Sequence, residues 1–122
     1  MARDHKQGDI YYANLTSNGS HVQSGMKPVV IMQNDIGNKF SPTVTVVPLT
    51  SKKKSLHLPT HAVIEADEHN GLRCSSVVLG EQITTIPVER MGKRLGKLNK
   101  KDFSMVWGAV LNQIAVPERN VG

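Results

Sequence analysis

The stretch from Lys27 to Thr50 constrains this chain most. It opens Lys27-Pro28-Val29-Val30-Ile31-Met32, and its short continuous apolar part, Val29 to Met32, is of the kind that forms a strand buried on both faces. A polar segment rich in Asn, Asp and Gly follows, from Gln33 to Asn38, and reads as a loop running on to Ser41-Pro42. The next run, Thr43-Val44-Thr45-Val46-Val47-Pro48-Leu49-Thr50, alternates Thr and Val until Pro48 breaks it. Two buried strands thus hold a polar loop between them and carry Lys27 and Thr50 to their outer ends. Polar groups on loop edges, held by a rigid sheet, make a site.

The rest of the chain continues in strands. Asp9 to Leu15 reads as a first strand, and Thr16 to Gly25, nearly all turn formers, as a long loop. Ser51-Lys52-Lys53-Lys54-Ser55 is a basic loop, open to phosphate or to an acidic protein segment. Ala62 to Ala66 is a short strand, Asn70-Gly71 a turn, and Arg73 to Ile83 a further strand. After Pro87 a short helical turn is expected, since Gly92 and Gly96 oppose a long helix. Phe103, Val106, Trp107, Val110, Leu111 and Ile114 fall on one helical stripe and read as core. Asn99 with Asp102 caps that helix, and Pro117 ends it. The fold class is therefore mainly β with a C-terminal α-helix. Residues 1–7 are expected to form a flexible segment, 8–117 a single domain and 118–122 a tail.

The chain has 122 residues and a net charge of +5, which favours an anionic partner, nucleic acid or an acidic protein segment. Aromatics are few, so an aliphatic core with the 5 Met as filler is expected. The single cysteine, Cys74, excludes an internal disulfide and reads as a small buried residue in a reducing cytoplasm. No apolar run approaches membrane-spanning length. His57, His61 and His69 lack metal-ligand spacing on a helix, and neither metal nor cofactor is expected.

Several segments together resemble the MazF/PemK family of toxin endoribonucleases. They are Gly8-Asp9-Ile10-Tyr11-Tyr12-Ala13, Gly25-x-Lys27-Pro28-Val29, Gln33-Asn34-Asp35-Ile36-Gly37-Asn38 with Ser41-Pro42-Thr43, Leu58-Pro59-Thr60-His61, and Glu81-Gln82-Ile83-x-Thr85-Ile86. The resemblance spans roughly residues 7–116. It implies a small curved antiparallel sheet or SH3-like barrel, of the MazF/PemK/CcdB type, assembled as a cytoplasmic homodimer. It implies sequence-specific, metal-independent cleavage of single-stranded mRNA to 2′,3′-cyclic phosphate and 5′-hydroxyl ends, held in check by a cognate antitoxin. The family's catalytic pair falls on Lys27 and Thr50.

Thr50 matches the family residue, whereas Lys27 stands where the family carries Arg. Lysine keeps the charge but not the planar fork that holds a phosphate bidentately. Cleavage with a Lys, a weakened enzyme, and a disarmed RNA- or antitoxin-binding protein all remain open at this point. Val22 stands where many members carry an acid, and His21 and Gln23 are neighbours able to compensate. His21 has the ordinary pKa for proton transfer; Glu81 is the other candidate base. Glu81 and Gln82 are also candidate contacts to exposed RNA base edges, as are Ser51 and Lys52 to phosphate. Phe40 either stacks on an unpaired base or anchors its loop. A CcdB-like gyrase poison is a further alternative, but Trp107-Gly108 sits within the helix rather than at a chain end.

Overall fold

A computed structural model describes residues 4–15, 25–51 and 58–116. The strands are β1 (Asp9–Leu15), β2 (Gly25–Ile31), β3 (Thr43–Thr50), β4 (His61–Ile64), β5 (Ser76–Leu79), β6 (Thr84–Pro87) and β7 (Met91–Lys97). Helix α1 (Asp35–Phe40) joins β2 to β3, and α2 (Lys100–Ile114) follows β7. Single 3-10 turns, Gly80–Gln82 and Val88–Arg90, flank β6. All the pairings are antiparallel, in the order β4-β5-β3-β2-β1-β7, with β6 also on β3. β3 is the shared strand: β6 pairs with Thr43 to Val46, and β5 with Leu49 and Thr50.

The apolar run Val29 to Met32 is buried on both faces, as expected. Val30 and Met32 join Ile10, Val47, Leu49, Ile64 and Val78 in a core beneath Val106, Ala109 and Val110 of α2. Val29 and Ile31 point the other way, into a second cluster with Ala13, Leu15, Val44, Val46 and Ile86. Alternation along a strand sends neighbours to opposite faces, so one short run feeds both cores.

Several expectations are corrected. The segment after β2 is a short helix rather than a loop. Asn34 caps it by accepting from the Gly37 N–H at 2.9 Å, and Asp35 stands in its first turn. β6 was hidden inside a Thr-rich stretch, and Glu81 and Gln82 lie on a 3-10 turn instead of a strand. Trp107 is 47% exposed rather than core. The buried line of α2 runs along Val106, Ala109 and Val110, which rotates Trp107, Leu111 and Ile114 toward solvent. Trp107 stacks on Phe103 with ring centroids 6.4 Å apart. Cys74 is exposed, because it follows the Asn70-Gly71 turn before β5 begins. Of the described methionines, Met32 is core filler, whereas Met26 and Met105 are exposed.

Residues 5–7 make contacts with the rest of the domain. His5 is buried, the Lys6 N–H donates to Asp9 Oδ2, the Gln7 N–H donates to Asp35 Oδ1, and Gln7 Nε2 donates to the Met32 carbonyl. α2 begins as predicted, with Asn99 Oδ1 accepting from the Asp102 N–H at 2.7 Å. Pro117, expected to end it, lies outside the described residues.

Candidate active site

The sheet itself brings Lys27 and Thr50 together. Val29 lies opposite Pro48, Val30 opposite Val47 and Ile31 opposite Val46. Extending that register along β2 and β3 sets Lys27 opposite Thr50. β1 supports Lys27 from one side through Ala13, and β5 supports Thr50 from the other through Val77. Pro28 and Pro48 carry no N–H, so each leaves the sheet one donor short beside the cleft.

That cleft has a volume of about 300 Å³ and is lined by Tyr12, Lys27, Thr50, Ser51, Arg73 and Cys74, among others. Lys27 is half-buried and Arg73 exposed. No carboxylate is present among the described residues that line it. The cleft thus offers cations and hydroxyls to a phosphate, with an apolar wall that includes Leu72 and Leu95.

Arg73 and Cys74 are the members that sequence reasoning missed, Arg73 as a strand start and Cys74 as core. Their position comes from the preceding turn. Asp67 Oδ1 accepts from the N–H groups of His69 and Asn70, both at 2.8 Å. Asn70, itself buried, accepts from the N–H groups of Asp67 and Leu72 and donates to the Glu65 carbonyl. Gly71 has φ +72, and a Cβ there would collide with the Leu95 carbonyl. The Asn-Gly dipeptide, one residue removed from a cation, was the available signal.

The other predicted residues lie elsewhere. Glu81 does not line the cleft. Its Oε1 accepts from Thr60 Oγ1 at 3.0 Å, and its Oε2 pairs with His61 Nε2 at 3.1 Å. Desolvation pushes its carboxyl upward, but its own backbone N–H, His61 and Thr60 together hold it below the ordinary carboxylate range. Gln82 is its partly buried neighbour on the same 3-10 turn. Phe40 ends α1, is 71% exposed and carries the Lys39 ammonium 5.4 Å from its ring centroid. It precedes β3, so the length of that strand, about 23 Å at the usual rise, separates its end of the sheet from Thr50. His21, Val22 and Gln23, together with Lys52, Lys53, Lys54 and His57, lie outside the described residues.

A sequence model described as the PemK-like, MazF-like toxin of type II toxin-antitoxin system matches residues 6–114. The chain is 38% identical over 111 residues to Endoribonuclease EndoA of Bacillus subtilis, covering 91% of this chain and 95% of the relative. It is 40% identical over 105 residues to Endoribonuclease MazF of Staphylococcus saprophyticus, covering 86% and 87% respectively. The fold is similar to that of a mycobacterial endoribonuclease solved in complex with its cognate antitoxin, at 21% identity and TM-score 0.73, covering 94% of this chain and 99% of that one. With a family match across nearly the whole chain and relatives this close along most of their length, the chain belongs to the PemK-like, MazF-like toxins of type II toxin–antitoxin systems.

Proposed function

We propose that the protein is a MazF-type endoribonuclease toxin that cuts single-stranded mRNA at a specific sequence. It does so without a metal, leaving 2′,3′-cyclic phosphate and 5′-hydroxyl ends. The observation that carries this reading is the convergence of Lys27 and Thr50 on one cleft at the end of β2 and β3. Transesterification needs a base for the 2′-hydroxyl proton, an acid for the leaving 5′-oxygen, and fixed donors for the charge that builds on phosphorus. In this reading the Lys27 ammonium gives its proton to the leaving oxygen. The Thr50 hydroxyl donates to a non-bridging phosphate oxygen. His21, a base of suitable ordinary pKa, takes the 2′-hydroxyl proton. Glu81 suits that role less well, since its carboxyl is depressed and already engaged.

Ser51, and Lys52 next to it in the sequence, are further phosphate contacts in this reading. The cognate antitoxin is an acidic segment that covers this cleft, in keeping with the net charge of +5. The toxin acts in the cytoplasm as a homodimer, a reading supported by the apolar strip of Trp107, Leu111 and Ile114 that a single chain leaves in water. Among the described residues, no helix is long and apolar enough to cross a membrane.

The test is direct. Purified protein is incubated with a long defined RNA in EDTA, and the new ends are mapped. Discrete cuts bearing 5′-hydroxyl groups are expected, whereas intact RNA or cuts that require added metal would refute the reading.

A further inference from the structure

We infer that Arg73 is the second phosphate-gripping cation of this site and supplies the planar fork that Lys27 lacks. The inference rests on the endoribonuclease reading above. It starts from strand order: β3 lies between β2 and β5. Lys27 comes from β2 on one side of Thr50. On the other side Val77 of β5 pairs with Thr50, and the chain just before β5 runs on past the end of β3. That extension carries Arg73, so the two cations stand on opposite flanks of the cleft that Thr50 and Ser51 also line.

Arg73 is suited to the role in other ways. Of the described arginines, Arg94 is committed to Asp9 at 3.3 Å, and only Arg73 lines the cleft. Among the described residues no acidic side chain of the cleft competes for its guanidinium. Its backbone is launched from the turn laced by Asp67 and Asn70 and pressed on β7 at Gly71, so little of its approach is left to chance. A guanidinium there can donate two parallel hydrogen bonds to the non-bridging oxygens as their charge rises, while Lys27 remains free to give up a proton. The work that one arginine could do is thereby divided between a gripping Arg and a proton-donating Lys.

The experiment compares wild type, Arg73→Ala, Arg73→Lys and Arg73→Ala/Lys27→Arg. Single-turnover cleavage is measured on a defined RNA. Binding is measured across a salt series with the same RNA carrying a 2′-deoxy residue at the cut position. Arg73→Ala is expected to cleave at least tenfold more slowly with an unchanged melting temperature. Its log–log salt slope should become shallower by about 0.7, the loss of one phosphate contact on a single strand. Arg73→Lys should restore the slope but not the rate, and Lys27→Arg should recover part of the rate in the Arg73→Ala background. Wild-type cleavage by Arg73→Ala would overturn the inference and leave the endoribonuclease reading standing. So would a slowed Arg73→Ala that melts early with an unchanged salt slope, since that marks a structural role. A wild type that cuts no RNA would overturn the endoribonuclease reading, and this inference with it.

Discussion

Replacing Glu81 by alanine separates a residue that holds the fold from one that meets RNA. Its carboxylate accepts from the Thr60 hydroxyl at 3.0 Å and pairs with His61 at 3.1 Å, tying the segment before β4 to the turn after β5. Hydrogen bonds to a charged group contribute about 1.5–3 kcal/mol each when buried. Here the Glu81 side chain is 30% exposed, so water replaces part of what is lost. A total cost of about 2 kcal/mol follows, or a fall in Tm of roughly 6–10 °C for a domain of this size. The effect depends on pH. Glu81 titrates below its ordinary range in the folded state, so its contribution is fully present above that range. It is lost as pH falls through the depressed value, and the stabilities of wild type and Glu81→Gln should converge in strong acid. Urea melts at neutral and strongly acidic pH, beside cleavage at saturating RNA, form the assay. We expect a less stable protein that still cleaves at the wild-type rate below its melting temperature. An unchanged melt with lost cleavage would refute the reasoning and return Glu81 to the RNA.

Other outcomes are expected. Thr50→Ala should lower kcat by about tenfold, near 1.4 kcal/mol of transition-state stabilisation, with an unchanged melt, as read by single-turnover cleavage and thermal unfolding. Alkylation of Cys74 by a bulky maleimide should block cleavage by filling the cleft, and bound uncleavable RNA should slow the labelling; activity after complete labelling would contradict this. Gly71→Ala combines a left-handed backbone with a collision at Leu95, so a loss of about 2 kcal/mol or more is expected in denaturant melts. Binding of the cognate antitoxin should weaken as salt rises from 50 to 500 mM in calorimetry, since complementary charge drives it.

Much of the β framework was legible because burial on both faces leaves an unmistakable apolar run. β2 was legible in this way and β3 by its β-branched run, and with them the placing of Lys27 and Thr50 at one end of the sheet. The Asn99 cap and the start of α2 were legible because a cap is a local device. α1 was missed because its polar residues favour turns as readily as a capped first turn of helix. Trp107 was misplaced because periodicity gives a stripe but not the width of the sheet that covers it. Arg73 entered the site through tertiary geometry: its turn docks on β7, a contact between residues distant in sequence.

The prolines at the site's end of β2 and β3 also bear on hydrogen exchange. Pro28 and Pro48 have no amide proton to exchange, so each removes a donor from the sheet beside Lys27 and Thr50. Protection should therefore fall along each strand, from slow amides at Ile31, Val44 and Val46 to fast ones at Lys27 and Thr50. Local opening then begins at the end of the sheet that holds the proposed RNA cleft.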